Sequence, residues 1–234
     1  MHYWPTSGTK AEINKMIRAA ILVTPFVMPA LALAAQIQIS TDDLSAWDEK
    51  KFAGQTSYQS VQLDQHPAIH ARADHAASGL SKELEVDLNK TPWLHWRWKI
   101  AEPTKPPVKR DERTKSGDDY AARIYVIKKS GLFGLTSKAV NYVWSSNQPI
   151  EAHWPNAFTA SAMMLAVQTG EKQAGQWLWQ SRNVKQDFKL LFDQEVSQIH
   201  ALALMTDTDN AGGVAEAWYA DIHFSDSPDP ESSD

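Results

Sequence analysis

The sequence predicts an all-β fold: an antiparallel, jelly-roll-like β-sandwich with one short helix near residues 185–192. Three observations predict it. Short apolar–polar alternations recur along the chain, separated by turn residues. No long stretch carries helical apolar spacing. Ten tryptophans in 234 residues supply bulky side chains for an intersheet core.

The N-terminus is set aside before the strands are counted. Lys10, Lys15 and Arg18 precede the apolar run Ala19 to Ala34, which closes on Ala32-Leu33-Ala34. A basic segment, an apolar segment and an A-x-A site are the marks of a cleaved signal peptide, so residues 1–34 are expected to be removed and the mature chain to start at Ala35. Met16 offers a second translation start, with a shorter signal. A spanning helix needs about 20 apolar residues. This run is shorter and holds Pro25 and Pro29, so no stable membrane span is expected after cleavage. Without residues 1–34 the chain keeps 20 basic and 27 acidic residues, a net charge of −7. An acidic surface argues against nucleic acid as a partner. There is no cysteine, so neither disulfides nor thiol chemistry can operate. The expected location is periplasmic or secreted.

From residue 35 the elements follow in order. Ala35–Ser40 and Trp47–Phe52 read as short first strands. Tyr58–Asp64 and Ala68–Asp74 are strand-like, and His75–Leu80 reads as a loop. In Lys82–Leu88, Leu84, Val86 and Leu88 share one side. In "WLHWRWKI", Leu94, Trp96, Trp98 and Ile100 share a face by the period of two. Residues 101–117, with three prolines, read as a long loop. Asp118–Ile127, Val140–Ser146, Ala162–Thr169 and Gln176–Val184 read as strands. Val184, Phe188, Leu191 and Phe192 then fall at helical spacing. Gln198–Met205 is apolar on both faces and reads as a central strand. Ala215–Phe224 is the last, with Trp218, Ile222 and Phe224 expected to face one way. The single domain is therefore expected over 35–224. The acidic, Ser/Pro-rich tail 225–234 is expected to be disordered.

Two acidic stretches are the candidate sites. In "TDTDNAGG", Asp207 and Asp209 suit a hard cation such as calcium. The EF-hand register fails, because Ala211 and Trp218 would stand where ligands are needed. The plainer reading is a hairpin turn in which Asp and Asn bond the backbone and glycine supplies positive φ. In "GDDY", Asp119, Arg123 and Tyr125 share a face if the segment is a strand. Asp119 and Arg123 would then lie about 13 Å apart and each would need a partner elsewhere. If the two strand ends meet, Asp118, Asp119, Asp207 and Asp209 form a carboxylate cluster, which must hold a cation or protons. Asn210 belongs to the same candidate binding face. Arg182 is a further candidate, suited to a carboxylate of the protein or of a ligand. Trp96, Trp98 and Trp218 are expected in the core. Trp93, Trp144, Trp154, Trp177 and Trp179 are weighed as core or as exposed platforms for a sugar ring. The sequence holds no H-E-x-x-H, no G-x-S-x-G, no Walker A and no dinucleotide fingerprint.

The segments "LHWRWKI", "DDYAARIYVI", "YVW", "GQWLWQSRNVKQDF" and "ALMTDTDNAGGVAEAWYADIHF" occur in this order. Together they resemble the bacterial domain of unknown function 3047, over about residues 93–224. The family pattern carries threonine after the asparagine of the "DTDN" run, and Ala211 stands there in this chain. The resemblance implies an exported single domain with a jelly-roll sandwich and assigns no activity. Three functional classes stay open: a non-catalytic module binding a glycan or other envelope component, a carbohydrate-active hydrolase using a carboxylate pair, and a structural envelope protein. No cofactor is expected, calcium excepted.

Overall fold

The computed structural model describes residues 35–104, 110–131 and 136–228. The expected signal segment and the end of the tail lie outside these residues.

In chain order the strands are β1 Gln36–Gln38, β2 Asp48–Ala53, β3 Ser57–Leu63, β4 His66–Asp74, β5 Ala77–Asp87, β6 Trp93–Ile100 and β7 Arg123–Ser130. They continue as β8 Thr136–Ser145, β9 His153–Pro155, β10 Ala162–Thr169, β11 Leu178–Asn183, β12 Gln198–Asp207 and β13 Val214–Ser225, with helix α1 at Val184–Phe192. One sheet has the order β11-β6-β13-β4-β3, with β1 added against β13; the other runs β2-β5-β12-β7-β8-β10-β9. The expected β-sandwich with one short helix is what forms. Pairing is antiparallel except between β10 and β8. That parallel pair requires the chain to cross back over the sheet end, and residues 146–161 supply the connection.

The inner faces carry the alternating apolar residues. Leu94, Trp96, Trp98 and Ile100 of β6 are fully buried. Trp96 stacks on Tyr142 of the opposite sheet at 5.3 Å, and Trp98 meets Trp144 at 5.9 Å. These rings dominate the core because each removes a large apolar area from water. Helix α1 starts where Asn183 accepts a bond from the Gln186 amide and stops at Asp193, whose φ is +50°. Its apolar side buries Val184 and Phe188.

Four elements differ from the sequence expectation. First, β5 begins at Ala77, so Ala77–Leu80 is strand rather than loop. Paired on both edges, by β2 and β12, the stretch overrides its turn-like Ser-Gly composition. Gly79 fits there because a Cβ would sit 3.3 Å from the Leu204 carbonyl oxygen. Second, Asp118–Ala122 is irregular and buried, and β7 starts only at Arg123. Asp119 and Arg123 therefore do not lie on one strand, and their expected separation of about 13 Å along it does not apply. Third, a bulge in β13 between Ala220 and His223, with Asp221 at φ +52°, shifts the alternation by one residue. Tyr219 faces the core before the bulge, and Ile222 and Phe224 after it. Trp218 is thus turned outward, where it stacks on His70 at 4.9 Å under Lys99. Fourth, β12 and β13 belong to different sheets. The loop 208–213 is not a hairpin turn but a crossing from one layer to the other.

Candidate functional site

Several connections cross between the sheets at one end of the sandwich, among them β4 to β5 through residues 75–76, β6 to β7 through 101–122, and β12 to β13 through 208–213. Backbone bonds tie them together. Thr208 N donates to Ala76 O at 2.9 Å, His75 N to Gly213 O at 3.1 Å, and Asp207 N to Tyr120 O at 3.2 Å. Gly212 and Gly213 take φ of +78° and +95°, which lets the chain turn back towards His75.

The acidic residues lie at this junction. Asp119 is buried, and its Oδ1 accepts from Asn210 N and Asn210 Nδ2, both at 3.1 Å, while Oδ2 accepts from Ala211 N. Asp119 is therefore the clasp that holds the 208–213 loop. Asp207 is 1% exposed; it accepts from Tyr120 N and from the guanidinium of Arg123. Arg123 also lies 3.8 Å from Asp118 and is sandwiched by the rings of Tyr120 and Tyr125. Asn156 Nδ2 donates to Asp118 at 3.1 Å. Asp209 is exposed, with Oδ1 accepting from Asn210 Nδ2 at 3.0 Å.

Sequence reading did not find Glu112. It is 2% exposed and accepts from the Ser145 hydroxyl at 2.6 Å and from the amides of Asn147 and Gln148, both at 3.1 Å. It pins the 110–122 crossing to the end of β8. Nothing in the local sequence marked it, because its partners lie over thirty residues away.

Of the expected site residues, Asp118, Asp119, Arg123, Asp207, Asp209 and Asn210 come together. Arg182 does not. It pairs on the other sheet with Asp187 at 2.7 Å and Glu151 at 2.6 Å. There it stands as an internal ion pair: Asp187 sits one turn into α1, and β11 aims Arg182 along that helix.

A cleft of about 460 Å³ opens on the outer face of the seven-stranded sheet beside the junction. Asp118, Arg123, Asn141, Asp207 and Asp209 line it. Phe52 of β2 and Phe158 of the 156–161 loop stand at its margins, 61% and 56% exposed. A second depression of about 330 Å³ shares Phe52, Tyr125 and Met205 with it and runs on to Lys129 and Glu83. The two make one groove across the strands. Its floor is low because Ala77, Gly79, Ala201 and Ala203 bring little side chain to this face. The expected sugar platforms are tryptophans alone, and local pattern marks neither phenylalanine: Phe158 stands between Ala157 and Thr159 in "PNAFTA". Trp144 and Trp154 are buried, whereas Trp93, Trp177 and Trp179 are half-buried on the six-stranded sheet.

Burial raises the carboxyl pKa of Asp207 well above its ordinary value, with Arg123 opposing. Burial also raises Asp118, Asp209 and Glu112. Arg123 stays charged, because Asp207 and Asp118 outweigh its loss of solvent. A carboxyl with a raised folded pKa binds more protons folded than unfolded, so stability falls as pH rises through that window. The expected result is a higher melting temperature at about pH 5 than at pH 7, with a flatter profile in Asp118→Asn. A melting temperature that climbs over the same interval contradicts this.

Asp119, Asp207 and Asp209 each place one carboxylate oxygen within 4.8 Å of the others. The donor set does not suit calcium as it stands. Both oxygens of Asp119 are taken by loop amides, and Asp207 is held by the Arg123 guanidinium. A dication there would also meet that buried positive charge.

The model of a family described as "Protein of unknown function (DUF3047)" matches residues 45–223, beginning earlier than the resemblance at about residue 93. No curated protein matches. Among solved structures, a family 11 carbohydrate-binding module from Clostridium thermocellum, in complex with a β-1,3-1,4-mixed-linked tetrasaccharide, is 10% identical, with 82% of this chain and 96% of that chain covered and a TM-score of 0.45. A family 30 module of a cellulosomal cellulase of Clostridium thermocellum is 12% identical, covering 85% and 99%, with a TM-score of 0.48. The xyloglucanase domain of an effector from Sinorhizobium fredii, in complex with cellobiose, is 8% identical, covering 84% and 100%, with a TM-score of 0.42. These are likenesses of overall shape, and nothing about this chain's ligand follows from them.

Proposed function

The chain belongs to the DUF3047 family, whose name assigns no activity, and from that premise we propose that it is a non-catalytic β-sandwich that binds a glycan in the groove on its seven-stranded sheet. The observation that carries this reading is the pairing of the exposed Phe52 and Phe158 rings with a polar floor of Asp118, Asn141 and Asp209 in one cleft. Exposed rings offer flat apolar platforms to a sugar face, and the floor bonds its hydroxyls. Calorimetric titration with soluble oligosaccharides tests it. Phe52→Ala and Phe158→Ala are each expected to weaken binding about 10-fold, or about 1.4 kcal/mol. No binding to any of a broad set of glycans overturns the reading.

A hydrolase is the second reading. Asp118 and Asp209 line one cleft, and burial raises both carboxyls, which is what a general acid requires. Reducing ends released during the titration, and abolished in Asp118→Asn, would replace the first reading with this one.

We also propose export to the periplasm or beyond, on the order of basic, apolar and A-x-A segments in residues 10–34. N-terminal sequencing of exported protein is expected to start near Ala35, and an intact N-terminus refutes cleavage. Among the described residues, no helix is long and apolar enough to cross a membrane.

A further inference from the structure

The groove is not evenly charged. At the junction end, three carboxylates, Asp118, Asp207 and Asp209, line the cleft against the single guanidinium of Arg123. That guanidinium already faces Asp207 and Asp118. Among the lining residues the acids therefore outnumber the cations by two; of the cations nearby, Arg110 is bonded to the Asn210 carbonyl oxygen and Lys115 lies over the Phe158 ring.

A second observation, independent of the acids, points to the same missing partner. Asn141 is fully buried on β8 and lines the same cleft. Its Nδ2 reaches Met164 Sδ at 3.2 Å, but its Oδ1 has no hydrogen-bond partner among the described residues. A buried acceptor without a donor is destabilising, and a ligand donor that reached it would offset that cost. Met164 Sδ also meets Asn156 Nδ2 at 3.7 Å, and that amide donates to Asp118. Asn141 is thus linked to Asp118 through Met164 and Asn156. The side-chain amide donors on this side are engaged, Asn156 on Asp118 and Asn210 on Asp119 and Asp209. Besides the Tyr125 and Thr159 hydroxyls, the side-chain polar groups left on this wall are acceptors.

We propose that this end of the groove takes an ammonium group, carried by a glycan that contains a free amino sugar. The proposal rests on the glycan reading above and names the ligand class within it. An ammonium presents three donors and one positive charge, enough to bond Asn141 Oδ1 and to lie between Asp118 and Asp209. Acidic or sulfated sugars would be repelled there. The burial that raises the carboxyls of Asp118 and Asp209 is the desolvation that such a cation would offset. The other end, with Lys50, Lys129 and Glu83, has no such excess of acid.

The experiment compares three oligosaccharides of equal length: a glucosamine oligomer, its N-acetylated form and a neutral glucose oligomer. Wild-type protein is expected to bind the glucosamine oligomer at least about 10-fold tighter than the other two, with the advantage shrinking in high salt. The advantage should disappear in Asp209→Asn and in Asp118→Asn, so that each variant binds the glucosamine oligomer no tighter than the neutral one. Asp209 is exposed, so its substitution tests the site even if Asp118→Asn fails to fold. The advantage should also weaken as pH falls and the carboxylates protonate. Equal affinity for all three oligomers overturns the amine proposal and leaves the glycan reading intact. Glucosamine binding that survives Phe52→Ala with Phe158→Ala but not Asp209→Asn keeps the ammonium site and removes the glycan reading. Binding of none removes both. A melting-temperature rise with millimolar calcium, lost in Asp209→Asn, would assign the acceptors to a metal and overturn the proposal.

Discussion

Arg123→Ala is expected to lower folding stability by about 3–5 kcal/mol, the range for stranding a buried charge. Arg123 is 3% exposed and Asp207 1%. With the guanidinium gone, Asp207 would keep only the Tyr120 amide as donor, and Asp118 would lose the positive charge at 3.8 Å. Two carboxylates in low dielectric would have to take up protons or unfold the junction. The Tyr120 and Tyr125 rings would also lose the cation between them. Urea denaturation measures the loss. The double variant Arg123→Met with Asp207→Leu should recover a large part of it, since an apolar pair of similar volume removes both charges. A single-variant cost below about 1 kcal/mol would mean that the pair is solvated, against the burial described.

Asp119→Ala is expected to cost about 2–4 kcal/mol, because it leaves the amides of Asn210 and Ala211 without their acceptor. Its consequence is local as well as global. The 208–213 crossing carries Asp209 and Asn210 into the cleft wall, so loosening it should lower ligand affinity without any change in a contacting residue. Hydrogen exchange separates these effects. The Asn210 and Ala211 amides should exchange far faster in the variant, while the amides of β12 keep their protection. Unchanged exchange at both positions would show that another group holds the loop.

The legible parts of this protein were those governed by local period. β6 was readable because Leu94, Trp96, Trp98 and Ile100 repeat every second residue. Helix α1 was readable because Val184, Phe188 and Phe192 repeat at its own spacing. Where an irregularity broke the period, the reading failed. The bulge at Ala220–His223 reversed the face of Trp218, and local sequence carries no count of partner residues on β6. The start of β5 was hidden because Ala77–Leu80 gains its strand character from two neighbours, β2 and β12, that are remote in sequence.

The candidate site divides in the same way. Asp118, Asp119, Asp207, Asp209 and Asn210 stood out as acids and amides clustered at strand ends, and the sequence by itself determined that these residue types and the sandwich that carries them exist. Only the tertiary structure decided what they do. It set Arg123 against Asp207, made Asp119 the clasp of the crossing loop, sent Arg182 to Asp187 of helix α1 away from the junction, and opened the groove between Phe52 and Phe158. The reason is physical. Side-chain period is a property of neighbouring residues on one strand. The pairing of charges and the depth of a cleft depend on how crossings from different parts of the chain converge, and no local pattern encodes that distance.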